Sequence, residues 1–394
     1  MATTIPLRNI WLLFLYAADL VQFKGRFDHQ VETAPDLPDL VARLLTHVVE
    51  ERLSRNLSRG YRPQVATLSR VRGRIDMLET TTRRLMDRGR IACRFEEHTM
   101  DTPRNRLVRA ALAQLANRVA DDLVAHRCRQ LSGDFTRMGV VGPRPSWAEV
   151  ASDQIGRNEA ADRLMVALAR MVFNTIIPTE EPGEVSGALP DSTDHLIRRL
   201  FERAVGNALR LELEPQGWCV TQGKRLSWPV TAASPGIAAI LPGMQTDIEL
   251  NHVETGRRIV IDTKFTAIFT ASSYRDRILK SGYLYQLYTY LRSQERPGDP
   301  ASLTAVGMLL HPQTGGSVDE GVTIQGHRMR FKTVDLAGDP GEFEVSLRGV
   351  SRNEGSLAVD RSVPLGDGSQ PFFRALCARF GFLKDTLKVR DSLF

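Results

Sequence analysis

The sequence predicts an α+β or α/β chain, in which a helical N-terminal part with a small β element precedes a domain built on a mixed sheet. Three observations predict it. Apolar residues recur at helical spacing through the first 60 residues and again over much of 101–212. Two strand-like, β-branched runs, 244–250 and 259–265, follow one another across a short turn, and a helix and another strand come after them. Between these parts, residues 178–190 are rich in Pro, Gly and Glu and mark a boundary. The expected division is therefore 1–180, 190–363 and a tail, 364–394, with a short amphipathic helix carrying Phe372, Phe373, Leu376 and Phe380.

Each element has its own warrant. Pro6 suits a first helical turn, and the apolar run from Ile10 to Ala18 predicts a helix to about Gln22. Only Arg8 precedes that run and Asp19 ends it, so a buried helix fits better than a secretory signal. Leu40, Leu44, Leu45, Val48 and Val49 predict a second helix over 37–55. Between Tyr61 and Glu97 the alternation in 69–76 and 91–96 predicts a basic β arm with a short helix across 78–86. Thr102 can cap, and Pro103 can open, a long helix to about Arg129, and another helix spans 158–174.

In the second part, Leu196, Leu200, Phe201, Ala204 and Leu211 face inward on a helix over 193–212, with Glu202 near its middle. A strand at 218–221, the two central strands, a helix from about Leu279 and a strand at 305–311 give the order α-β-β-β-α-β. On that last helix Leu284, Leu287 and Leu291 form the core stripe and Gln286 falls off it. Residues 323–348 add further strands.

Composition narrows the function classes. A chain of 394 residues with 42% hydrophobic content can bury two or three cores, yet no apolar run reaches the ~20 residues of a membrane span. Cys93, Cys128, Cys219 and Cys377 are scattered without a Cys-x-x-Cys pair, which argues against zinc or a disulfide framework and for a reducing cytoplasm. Residues 52–144 hold 20 Arg, no Lys and 9 acidic residues, a local excess of +11 in a chain of net charge +6. Such a block suits a polyanion or an acidic protein surface. Arg70, Arg72 and Arg74, on the arm, are its candidate contacts.

The chemistry-bearing residues sit on the central strands. Asp262 and Lys264 interrupt an otherwise apolar strand and, two apart, share one of its faces. Burying that pair costs several kcal/mol unless the groups pair or coordinate something. A hairpin through Thr255-Gly256 brings Asp247 towards them. Two carboxylates and a lysine at adjacent strand ends form the Asp…(Asp/Glu)-x-Lys arrangement of metal-dependent phosphodiester cleavage. The arrangement resembles the PD-(D/E)xK nuclease architecture. In that architecture a Gln on the helix after the lysine strand, here Gln286, often lies by the site, and a carboxylate on the first helix, here Glu202, can join it.

An ordered set of motifs resembles the McrC family. It comprises Ile5-Pro6-Leu7-Arg8-Asn9-Ile10, Leu15-Tyr16-Ala17, Val71-Arg72-Gly73-Arg74-Ile75, Asn105-Arg106, Asp247, Asp262-Thr263-Lys264, Leu284-Tyr285-Gln286-Leu287 and Tyr290-Leu291. The resemblance implies the nuclease subunit of a modification-dependent restriction system. Its partners would be an McrB-like hexameric AAA motor using GTP, whose hydrolysis the N-terminal part stimulates, and modified double-stranded DNA. Asp247 and Asp262 would bind Mg²⁺ or Mn²⁺, and Lys264 would orient the attacking water or stabilise the developing charge. The literal proline of the motif is displaced, with Pro242 upstream of Asp247. No Gly-x-x-x-x-Gly-Lys-Ser/Thr loop is present, so the motor is expected on another chain. The alternative is a non-cutting activator of a motor ATPase or GTPase that retains a vestigial nuclease fold.

Overall fold

The computed structural model describes residues 5–153, 155, 160–176, 192–270, 277–314, 316–339, 341, 342, 345 and 346. The first helix, α1 (Leu7–Ala17), is apolar on every side from Ile10 onward and is buried from Asn9 to Ala17, as such a helix must be, with Arg8 of its first turn exposed. It stops earlier than expected, because Asp19 takes a left-handed φ of 59° and a short turn, Val21–Phe23, follows. Next come α2 (Asp28–Thr33) and α3 (Leu37–Leu53), the latter capped by Asp36, whose carboxylate accepts from the Asp39 amide at 2.9 Å.

The basic arm is a three-stranded antiparallel sheet. It contains β1 (Gly60–Leu68), β2 (Arg74–Ile75), α4 (Met77–Thr82) and β3 (Ile91–Thr99), with β3 between β1 and β2. The helix on it is shorter than expected and ends at Thr82. The long helix expected from Pro103 to Arg129 is instead two, α5 (Pro103–Leu115) and α6 (Asp122–Arg137). Asp121 explains the break: its carboxylate accepts from the amides of Leu123 and Val124 and starts a new helix there. A capping box at Ser146 and Glu149 then opens the short α7 (Trp147–Ser152), and α8 (Ala160–Ile176) follows.

After residues 177–191 the chain forms α9 (Ser192–Leu213), β4 (Trp218–Leu226), α10 (Ile237–Ile240), β5 (Met244–His252) and β6 (Arg258–Thr263). A two-stranded pair, β7 (Phe269–Thr270) and β8 (Ile278–Leu279), leads to α11 (Ser281–Ser293), α12 (Pro300–Leu303), β9 (Val306–Pro312), β10 (Asp319–Ile324) and β11 (His327–Val334). The six-stranded sheet has the order β10-β11-β9-β6-β5-β4. It is mixed as expected: β6 runs antiparallel to β5 and parallel to β9. The boundary expected at 178–190 and the tail helix lie outside the described residues. The strands expected over 323–348 end with β11 at Val334: of the described residues beyond it, 335–339 are irregular and 341, 342, 345 and 346 are helical.

Helices cover both faces of the sheet. Ile259, Ile261, Met308 and Leu310 join one large apolar core with α1, α3, α5, α8 and α9, while Val260 and Leu309 face a second core with Leu287 and Leu291 of α11. Glycine permits close approach on each side. A Cβ at Gly206 of α9 would lie 2.3 Å from Gln222 Cδ on β4, and one at Gly307 of β9 would lie 2.9 Å from Leu287 and Leu291 on α11. Both helices that carry candidate site residues are therefore drawn tight against the sheet.

Buried asparagines tie the N-terminal helices to the rest. Asn9 donates to the carbonyls of Leu336 and Gly338 at 2.8 and 3.0 Å, and Asn207 of α9 donates to those of Tyr16 and Ala17 at 2.8 and 3.2 Å. Asn105, at the start of α5, donates to the carbonyls of Ser58 and Met100. Each bond satisfies a backbone acceptor, and those to Leu336, Tyr16, Ala17 and Ser58 are buried.

Candidate active site

The site lies where β5 begins and β6 ends, beside α11 and α9. The hairpin between the two strands places Asp247 against the end of β6: its Oδ2 accepts from the Thr263 amide at 2.7 Å and from the Thr263 hydroxyl at 2.9 Å. Just past β6, the Lys264 amide donates to the Leu310 carbonyl at 2.9 Å, fixing where the lysine leaves the sheet. Lys264 Nζ then lies 2.8 Å from Asp262 Oδ2. Asp262 is fully buried, and apart from that ion pair neither of its carboxylate oxygens has a hydrogen-bond partner among the described residues.

A neighbouring carboxylate in the same sheet is held differently. Glu249, on the adjacent strand β5, is also fully buried, but Lys224 Nζ, Asn251 Nδ2 and Arg258 meet it at 2.7, 3.1 and 3.0 Å. Burial raises its pKa, yet the Lys224 hydrogen bond and the Arg258 charge outweigh that, so it ends below the ordinary glutamate range. Asp262 goes the other way. Burial, reinforced by the negative charge of Asp247, pushes it up to about 6 although Lys264 pulls it down. Perturbation of this kind is frequent at functional carboxylates.

Glu202 and Gln286 reach the same place from opposite helices. Glu202 of α9 is half-buried, and burial followed by the charge of Asp247 raises its pKa, with Lys264 among the charges opposing the shift. Gln286 of α11 donates from Nε2 to the Tyr290 hydroxyl at 2.6 Å. Burial raises the pKa of Tyr290, and the charges of Asp262, Lys264 and Asp247 all act on it. Tyr290 is thus a site residue that the reading of Gln286 alone missed. The signal was available in the spacing: residues four apart share one helix face.

Two more residues were missed, and both flank Lys264. The Tyr283 ring lies 5.2 Å from Lys264 Nζ and 5.9 Å from the His311 ring. His311 is buried on β9, its Nδ1 is 2.8 Å from the Thr266 carbonyl, and burial pushes its pKa down to about 4. It is neutral at physiological pH, and Nδ1 carries the proton that the carbonyl accepts. No pattern in the strand announced it.

Arg70, Arg72 and Arg74 are all exposed on the arm. The Arg72 guanidinium lies over the Phe95 ring at 4.1 Å, and Arg74 pairs in register with Arg94, which is itself bound to Asp76 at 2.6 Å. Among the described residues, none of the three arginines is hydrogen-bonded or ion-paired to the Asp262 cluster, and no group of three or more His, Cys, Asp or Glu side chains converges closely enough to hold a metal ion by itself. Cys93, Cys128 and Cys219 are free thiols. No helix among the described residues is long and apolar enough to cross a membrane.

Residues 6–303 match the family described as McrBC 5-methylcytosine restriction system component. The chain belongs to this family. Within it, the Type IV methyl-directed restriction enzyme EcoKMcrBC of Escherichia coli (strain K12) is 22% identical over 333 residues, covering 84% of this chain and 93% of that protein. Among solved structures, a half-complex from a tetradecameric assembly of Thermococcus gammatolerans McrB AAA+ hexamers with bound McrC superposes with a TM-score of 0.46 at 17% identity, covering 88% of this chain and 76% of that one. A chain of the Thermococcus gammatolerans McrBC complex gives 0.34 at 18% identity, with 53% and 59% covered. The McrBC match ends at residue 303, so it includes Asp247, Asp262, Lys264 and Gln286 and excludes His311.

Proposed function

We propose that this McrBC component is the DNA-cutting subunit of its restriction complex, a metal-dependent endonuclease that works with a GTP-hydrolysing AAA motor and stimulates its hydrolysis. The observation that carries this reading is Asp262: a fully buried carboxylate beside a lysine, with both oxygens otherwise unsatisfied, next to a second carboxylate on the adjacent strand. A structural ion pair in this sheet looks like Glu249, with donors on every side. Asp262 looks instead like half of a ligand set.

The donors present fit a hard cation. Asp262 and Asp247 would hold Mg²⁺ or Mn²⁺, with water completing the shell. Bound there, the ion would supply Lewis-acid polarisation of the phosphate and a more acidic water. The chain's own residues do the rest. Lys264, held by Asp262 at 2.8 Å, stabilises negative charge on a non-bridging oxygen as the phosphorus gains its fifth bond. Glu202, with its raised pKa, exchanges a proton at a higher pH than an ordinary glutamate and suits proton transfer at the attacking water. Gln286 and Tyr290 form a hydrogen-bonded wall that fixes the pocket on the α11 side.

The motor and modified DNA enter this reading from family membership, and the exposed arginines of the arm suit an acidic or polyanionic partner. A non-cutting activator would need Asp262 to be purely structural, and its missing hydrogen bonds speak against that. Calorimetric titration of the full chain with Mn²⁺ tests the ligand set. Binding to the natural chain that Asp262→Asn abolishes supports it. Equal binding by both contradicts it.

A further inference from the structure

We propose that Lys280 is a DNA-phosphate contact of the cleavage site, holding a non-bridging oxygen of the phosphate next to the one cut. The proposal rests on the nuclease reading above. Lys280 directly precedes α11, and its Nζ lies 5.6 Å from the centroid of the Tyr283 ring. Lys264 Nζ lies 5.2 Å from the same centroid. One aromatic ring therefore positions both ammonium groups, and a ring face favours a cation without neutralising it.

Their charges are compensated differently. Lys264 is matched by Asp262 at 2.8 Å, and elsewhere in the sheet domain Lys224 is matched by Glu249 and Lys332 by Asp319. Among the described residues, no carboxylate lies within 4.0 Å of Lys280 Nζ. Lys280 is half-buried, and an ammonium withdrawn from water without a counter-charge is unfavourable. A phosphate oxygen supplies that counter-charge. His311 cannot add to the positive charge here, because it is buried and neutral, and the charges of Lys280 and Lys264 both act on it. The Tyr283 ring, next to both lysines, also lies 5.9 Å from the His311 ring, so the two lysines and His311 surround one aromatic side chain.

With Lys264 committed to Asp262, the cations near the site without a carboxylate partner among the described residues are Lys280 and, on the α9 side by Glu202, the exposed Arg199 and Arg203; of these Lys280 is the one that shares the Tyr283 ring with Lys264. A point charge on a flexible stem contacts phosphate without reading sequence, so its loss weakens all DNA alike.

The test uses the full chain in its motor complex and a modified DNA duplex. Lys280→Met keeps the aliphatic stem over Tyr283 and removes the charge, and Lys280→Arg restores the charge. DNA binding is measured against salt in an Asp262→Asn background, and cleavage in the otherwise natural chain. In Lys280→Met the slope of log affinity against log salt should fall by about 0.9, the share of one phosphate. The KM for DNA should rise roughly three- to tenfold while kcat falls less, since the contact exists before and during the reaction. Lys280→Arg should recover slope and KM. An unchanged slope and KM in Lys280→Met, with Asp262→Asn inactive, would overturn the Lys280 assignment alone. So would failure of Lys280→Arg to recover, which would make the residue a support for α11. Full cleavage by Asp262→Asn would overturn the nuclease reading and this proposal with it.

Discussion

Lys264 Nζ sits 2.8 Å from Asp262 Oδ2, and that ion pair is the one compensation the fully buried carboxylate has among the described residues. The pair is therefore only half of an electrostatic solution. In an otherwise well-satisfied sheet, a carboxylate left this way destabilises the fold unless something else binds it. Stability and chemistry at this position are linked, and both can be measured.

The first expected outcome concerns pH. Asp262 titrates at about 3.8 when unfolded and at about 6 in the fold. A raised acid favours the protonated folded form, so this group costs nothing below about 4, and stability is lost as pH rises through about 6. The full cost at neutral pH is on the order of 3 kcal/mol, a net figure that already includes the attraction of Lys264, so Asp262→Asn should recover most of it. Thermal melts of both chains without divalent metal check this. The variant should be the more stable at pH 8, and the gap should close as the pH falls towards 4.

A second outcome concerns the α11 wall. Gln286→Ala leaves the buried Tyr290 hydroxyl without its 2.6 Å donor. Cleavage should fall about ten- to a hundredfold through misplacement of the pocket, with a loss of stability of roughly 1–2 kcal/mol. Tyr290→Phe removes the stranded hydroxyl as well and should cost less stability than Gln286→Ala. Single-turnover cleavage and denaturant melts on the two variants separate the effects.

The arm supplies a third. Arg72 packs on Phe95, so its substitution mixes charge with packing. Arg70→Ala with Arg74→Ala is the cleaner change, because both side chains are exposed. Assembly with the motor, or stimulation of its GTP hydrolysis, should weaken most at low salt, where exposed charges act over longer distances. Sedimentation and hydrolysis rates at two salt concentrations measure it. Unchanged values at both would remove these arginines from the partner surface.

Much of the fold was legible because its signals are local. The apolar run of α1, the stripe of α3, the stripe of α9 (except Leu211, expected inward but exposed) and the β-branched strands of the hairpin each announce themselves in a window of a dozen residues. Asp247, Asp262 and Lys264 were legible for a related reason, since charges inside a buried strand break its pattern. The helix break at Asp121 was not, because a cap there competes with a periodicity that continues across it. His311 and Tyr283 depend on the β6–β9 crossover and on how α11 docks at Gly307, contacts no short window contains.

The buried asparagines show the same limit. Asn9 and Asn105 belong to motifs that suggested the family, yet both are spent on backbone carbonyls from distant parts of the chain. Asn9→Ala should strand the carbonyls of Leu336 and Gly338 and cost about 1–3 kcal/mol. A denaturant melt checks this, and the loss should affect cutting and motor stimulation together rather than cutting alone.

The most direct test of the central claim is cleavage of modified duplex DNA by the reconstituted complex, with GTP and Mg²⁺, comparing the natural chain with Asp262→Ala. The account predicts that the natural complex cuts, that the Asp262→Ala complex does not, and that both stimulate GTP hydrolysis equally. Undiminished cutting by the Asp262→Ala complex would contradict it.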